Sequence, residues 1–121
     1  MSKTEHNKQI ALNWINAFNE HNLEELLSLY AEDAVHFSPK LKIREPQTNG
    51  QIAGKPALRS WWAGAFERIP TLHYKLENLI INDGQVLMEY IRKAAGEPDM
   101  MIAEILEIND NLILRSRVYH G

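Results

Sequence analysis

Ala31-Glu-Asp-Ala-Val-His-Phe-Ser38 is the stretch that decides how this chain is read. Its first residues close a helical pattern with an acidic turn, and residues 34–38 read as a strand whose far end can carry a chemically active side chain. Upstream, Ile10, Trp14, Ala17, Phe18 and His21 fall at helical spacing within residues 4–20, with Ser2-Lys-Thr-Glu5 placed as a capping box. Asn22-Leu-Glu-Glu25 offers a second box, followed by Leu23, Leu26, Leu27 and Tyr30 on one face of a short helix. Two helices therefore meet at a tight corner and feed the chain into a strand.

Downstream of that strand, residues 39–51 read as a polar loop with two prolines and a short edge strand near Leu41 and Ile43. Gly54-Lys-Pro56 opens a helix, because proline in the first turn lacks only an N–H that has no partner there. Leu58, Trp61, Trp62, Ala65, Phe66 and Ile69 give this helix a broad apolar face, and Pro70 stops it. The remainder alternates with the period of a strand: residues 72–81, then the Asn82-Asp-Gly84 turn, 86–93, 100–108, an Asn109-Asp-Asn111 turn and 112–120. Helices first and long antiparallel strands last is the α+β pattern, a curved sheet closing on its helices around a conical hollow.

Composition narrows the function classes. The chain has 121 residues, the length of one domain with one core. Its 13 basic and 16 acidic residues are mixed along the sequence, with no basic run that could follow a phosphate backbone, so nucleic acid is not the expected partner. No apolar stretch approaches the ~20 residues of a membrane span, and the first residues are polar; a soluble, cytoplasmic protein is expected. With no cysteine, thiolate catalysis and cysteine-based metal sites are excluded. The five histidines form no metal-ligand spacing, and no glycine-rich phosphate loop is present, so neither a metal nor a nucleotide cofactor is expected.

The element order, with the segments Ala17-Phe-Asn-Glu-His-Asn-Leu23, Leu29-Tyr-Ala-Glu-Asp-Ala-Val35, Gly54-Lys-Pro-Ala-Leu58 and Leu114-Arg-Ser-Arg-Val-Tyr119, resembles the nuclear-transport-factor-2-like superfamily. That group holds SnoaL-like polyketide cyclases, ketosteroid isomerases and limonene epoxide hydrolases. The resemblance covers nearly the whole chain and implies a cone-shaped sheet, antiparallel or mixed, wrapped around three N-terminal helices. Laid against ketosteroid isomerase, the oxyanion-hole tyrosine falls on Trp14 and the general-base aspartate on Ser38, both departures. The isomerase's second oxyanion-hole acid falls on Glu104, which matches. Where the Asp-Arg-Asp arrangement of the epoxide hydrolases would begin, this chain has Tyr90 and Arg92.

If Trp14, Ser38 and Glu104 face inward as the resemblance implies, strand alternation places Met88, Tyr90 and Arg92 beside them, with Ala34 and His36 from the first strand. Arg115, Arg117 and Tyr119 follow on the last strand and Trp61 on the third helix. Glu104 and His36 are then the candidate catalytic pair, His36 because imidazole is poised near neutrality. Trp14, Ser38, Trp61, Met88, Tyr90, Arg115, Arg117 and Tyr119 are the candidate ligand contacts. The arginines and Glu104 read either as an internal ion-pair network or as a site for a small anionic, partly apolar molecule. Ser38 reads either as a nucleophile activated by His36 or as the hydroxyl that starts a turn before Pro39. An isomerase, cyclase or hydratase without cofactor, a non-catalytic binding protein, and a dimerisation module with a filled hollow all remain open. The outward set Leu87, Ile91, Met101, Ala103 and Ile105 is too apolar for water and points to a homodimer.

Overall fold

A computed structural model describes residues 2–121. Its elements are α1 (Lys3–Asn19), α2 (Leu23–Ser28), β1 (Tyr30–Phe37), α3 (Pro39–Arg44), a 3₁₀ turn (Pro46–Thr48), β2 (Gln51–Ala53), α4 (Lys55–Arg68), β3 (His73–Ile81), β4 (Gln85–Lys93), β5 (Met100–Asn109) and β6 (Leu112–His120). The six strands form one curved sheet in the order β2-β1-β6-β5-β4-β3, with β1 parallel to β6 and every other pair antiparallel. The fold is α+β, as expected. Among the described residues no helix is long and apolar enough to cross a membrane.

Local chemistry sets the boundaries. Ser2 Oγ accepts from Glu5 N at 3.1 Å and Asn22 Oδ1 from Glu25 N at 3.1 Å, which starts both N-terminal helices where their caps predict. His21, at φ 54°, makes the corner between them. The β5–β6 hairpin closes on Asp110 and Asn111, both in the left-handed region at φ 51° and 63°, as a two-residue primed turn requires.

Two expectations are corrected. Residues 39–51 are not a loop with a strand at Leu41 and Ile43. Ser38 Oγ accepts from Lys40 N and Pro39 occupies the first turn, so the chain starts the helix α3, which buries Leu41 and leaves Ile43 76% exposed; the edge strand follows at Gln51–Ala53. Tyr30, assigned to the α2 face, instead begins β1 and is buried.

A third correction concerns β6. Glu107 pairs with Arg115 and Ile108 with Ile113, so Leu114 is an extra residue on β6, a β-bulge. Leu114 and Arg115 both stay outside, and the inward set becomes Ile113, Ser116 and Val118. Strict alternation from Ile113 turns every later side chain the wrong way. Arg115, Arg117 and Tyr119 therefore belong to the convex face.

The core lies between the concave face and the helices. Trp14, Phe18, Leu26, Leu27, Leu58 and Trp62 from the helices meet Val86, Met88, Ile102, Leu106 and Ile113 from the sheet. Phe18, Tyr74 and Tyr90 stack with centroids 4.0 and 4.1 Å apart, and Trp14 joins Phe18 at 5.3 Å. Such rings bury large areas and fix one wall of the hollow.

Candidate functional site

A cavity of about 310 Å³ opens between the concave face and α1, α3 and α4. Its inner wall holds Trp14, His36, Trp62, Tyr90, Ile102 and Glu104, all at or below 3% exposure. Its rim holds longer, charged side chains from α3, α4 and the strand ends. A dimerisation module with a filled hollow does not fit this shape.

Glu104 is supplied by β5, opposite Met88 on β4 and Val118 on β6. Tyr90 Oη donates to Glu104 Oε1 at 2.8 Å. Glu104 Oε2 is buried and has no partner among the described residues. Burial pushes the carboxyl up to about 7 against the pull of the Tyr90 hydrogen bond. No arginine or lysine pairs with it among the described residues; of the arginines expected around it, Arg92 pairs with Glu97 at 2.9 Å and Arg117 with Glu107 at 2.6 Å. The internal network expected of Glu104 and the arginines is thus replaced by a lone acid beside a phenol, raised by burial into the neutral range.

His36 sits at the end of a directional chain. Trp14 Nε1 can only donate, and does so to Tyr30 Oη at 3.0 Å. Tyr30 Oη then donates to Ser116 Oγ at 2.9 Å, and Ser116 Oγ lies 2.6 Å from His36 Nδ1. When Ser116 passes its own proton forward, Nδ1 accepts it and the imidazole proton resides on Nε2, on a residue that lines the cavity. Burial pushes His36 down to about 4, so it is a neutral donor at physiological pH. The expectation of a histidine poised near neutrality is corrected: desolvation removes it, and Glu104 is the group that titrates there.

The other candidates sort cleanly. Trp14, Ser38, Trp61 and Tyr90 line the cavity with His36 and Glu104. Trp14 spends its N–H on Tyr30, so its ring, not its donor, serves the wall. Ser38 caps α3, and His36 Nδ1 is engaged by Ser116, so the cap reading holds over the nucleophile. Met88 is fully buried in the core and does not line the cavity. Arg115, Arg117 and Tyr119 lie outside, for the bulge given above. Trp62 packs on Tyr30 and His36 at 5.1 and 5.3 Å, while half-buried Trp61 carries Arg68 over its ring at 5.8 Å. Sequence reasoning missed Ser116, Tyr30, Lys40, Arg44, Arg68 and His120 as site residues. The Ser38-Pro39 helix start was the available signal for Lys40 and Arg44; nothing short of the bulge reveals Ser116 and His120.

The model of the SnoaL-like domain matches residues 11–116. No curated protein matches the chain. A SnoaL-like protein of unknown function from Burkholderia thailandensis is 23% identical, with a TM-score of 0.86 over 97% of this chain and 95% of that one. A candidate ketosteroid isomerase from Kribbella flavida is 20% identical, with a TM-score of 0.81 over 100% of this chain and 82% of its own. An NTF2-like protein from Anabaena variabilis is 18% identical, with a TM-score of 0.80 over 98% and 90%. At these identities the likeness concerns the fold: the cone of the nuclear-transport-factor-2-like superfamily.

Proposed function

We propose that this chain, which belongs to the SnoaL-like domain family, holds a small, largely apolar molecule in its cone and engages one ligand oxygen through the Glu104 carboxyl. The observation that carries the reading is Glu104 Oε2: a buried oxygen in a cavity wall, without a partner among the described residues, on a carboxyl that burial pushes up to about 7. A buried polar atom without a partner costs about 1–3 kcal/mol, a cost that a ligand carbonyl or hydroxyl would remove. His36 Nε2–H supplies a second neutral donor to the same cavity.

Chemically, two neutral donors in an aromatic cavity suit a carbonyl whose oxygen gains negative charge. Glu104 titrates near neutrality, so it can give a proton to that oxygen and take one back. This supports cofactor-independent proton transfer of the isomerase, cyclase or hydratase kind. Ser38 stands where the isomerase has its base, so ketosteroid double-bond migration is not the expected reaction. The second reading, a binding protein without turnover, rests on the absence of an identified base for a carbon-bound proton.

A neutral aryl ketone, 2-acetylnaphthalene, tests the reading. It should quench indole fluorescence and raise the melting temperature, since a ligand selective for the folded state stabilises it. Glu104→Leu should abolish the response and Glu104→Gln, which keeps a donor, should retain part of it. Exchange of the ketone's methyl protons in heavy water, followed by NMR, separates enzyme from binder. An equal response from wild type and Glu104→Leu would sink the proposal.

We also propose that the convex face pairs with a second copy. Leu87, Ile91, Ala103 and Ile105 are half-buried in the single chain, while Met101 and Tyr119 are 48% and 47% exposed beside them. Cross-strand pairing joins Leu87 to Ile105 and Ile91 to Met101, and Ala103, opposite Glu89, links the two pairs along β5. The cysteine-free composition fits a reducing, cytoplasmic setting.

A further inference from the structure

The rim of the cavity carries charge of one sign. Lys40, Arg44, Arg68 and Arg92 all line it, with His120 beside them, and Glu97 is the carboxylate among them. Four permanent cations against one carboxylate stand in a chain whose net charge is −3, so the rim runs against the composition. Glu97 is already engaged by Arg92 at 2.9 Å. Among the described residues, Lys40, Arg44 and Arg68 have no carboxylate within 4.0 Å.

These cations crowd one another. Burial, and then the charge of Arg92, lowers the Lys40 ammonium; burial and then Arg44 lowers the Arg68 guanidinium; burial and then Lys40 and Arg92 lower His120. Glu45 and Glu67 lie within electrostatic reach of Arg68 but outside the lining. Lys40 and Arg44 also stand four residues apart on α3, a like-charge spacing that weakens a helix. An arrangement that costs stability when empty is relieved by an anion placed among its members. Ile43, 76% exposed on the same helix, and Trp61 add apolar surface at the rim.

From this geometry we infer that the ligand is bipolar: an apolar, ring-sized body with a carboxylate held at the rim by Lys40, Arg44, Arg68 and Arg92, and a neutral oxygen at the far end against Glu104 and His36. The inference rests on the cavity reading given above and adds the substrate class, a keto or hydroxy monocarboxylate. Rim cations fix which end enters first. The unpartnered Glu104 oxygen marks where the uncharged end stops.

The test compares 6-acetyl-2-naphthoate with its methyl ester and with 2-acetylnaphthalene, by indole fluorescence and melting temperature. The acid should bind roughly tenfold more tightly than the ester, the product of a few part-exposed ion pairs each worth a fewfold. That ratio should shrink as salt is raised. The double variant K40Q/R44Q, checked for folding by circular dichroism, should bring the ratio towards one, and Arg68→Gln should lower it further. A ratio near one in the wild type, or a ratio that K40Q/R44Q leaves intact, overturns the inference while 2-acetylnaphthalene still binds. If none of the three compounds binds, the cavity reading falls and this inference falls with it.

Discussion

Glu104 and Glu107 lie on the same strand, three residues apart, on opposite faces of one sheet. Glu107, on the convex side, is gripped by Arg117 at 2.6 Å with Arg115 at 3.7 Å, all three partly open to water. Glu104, on the concave side, has a phenol for company and no cation among the described residues, and burial makes it a weak acid. The same side chain is therefore an ion-paired carboxylate on one face and a weak, buried acid on the other. Solvent and partner decide the role, and the side of the strand decides both.

The largest expected effect tests whether the convex face stays dry. Replacing Ile105 by Lys puts a charge in the middle of the proposed interface and should favour monomers by several kcal/mol, read by sedimentation. A wild-type monomer at micromolar concentration would remove the dimer.

Next comes the concave pair, whose pH dependences oppose each other. For Glu104 the folded value, about 7, lies above the ordinary 4.5, so its contribution is full below about pH 4.5 and lost as pH rises towards 7. For His36 the folded value, about 4, lies below 6.5, so its contribution is full above about pH 6.5 and lost as pH falls towards 4. Each amounts to roughly 3 kcal/mol across its window. Glu104→Gln should leave stability rising with pH between these limits, and His36→Gln should leave it falling. Urea unfolding over a pH series measures both slopes; slopes of the same sign would mean that one group is not buried as described.

Tyr90→Phe sharpens the contrast by isolating Glu104 completely. It should cost about 1–2 kcal/mol and move the carboxyl further up, visible as a shifted midpoint in the carboxyl carbon NMR titration. The smallest effect belongs to the convex face: Arg117→Gln should change stability by less than about 1 kcal/mol, because the pair it breaks is part-exposed. A large loss there would show that the convex ion pair is structural after all.

The fold was legible because its signals are local. Caps at Ser2 and Asn22, proline in the first turn of α4 and the turn residues at 82–84 and 109–111 each satisfy backbone groups within a few residues. His36, Tyr90 and Glu104 face the concave side as alternation predicts, because β4, β5 and the stretch of β1 from Ala34 onward alternate regularly around them. Arg115, Arg117 and Tyr119 were misplaced because a bulge is a property of two paired strands, and one strand's sequence does not contain it. The behaviour of His36 was missed for a similar reason: its neutrality depends on burial under residues distant in the chain, among them Trp62 at 5.3 Å. The cationic rim draws on α3, α4, β4 and the end of β6, a gathering that only the closed sheet brings about.

Leu114 has an evolutionary consequence. Because it is the extra residue on β6 and points outward, deleting it would let Ile113 and Arg115 become ordinary neighbours in a regular ladder, with Ser116 and Val118 still facing in. The same deletion two residues later would turn the rest of the strand over and trade lining for coat. A length change in β6 is thus harmless within the bulge, at Leu114 or Arg115, and transforming at Ser116. Descendants of such a cone can exchange the chemistry of one wall in a single genetic step, with no substitution anywhere in the site.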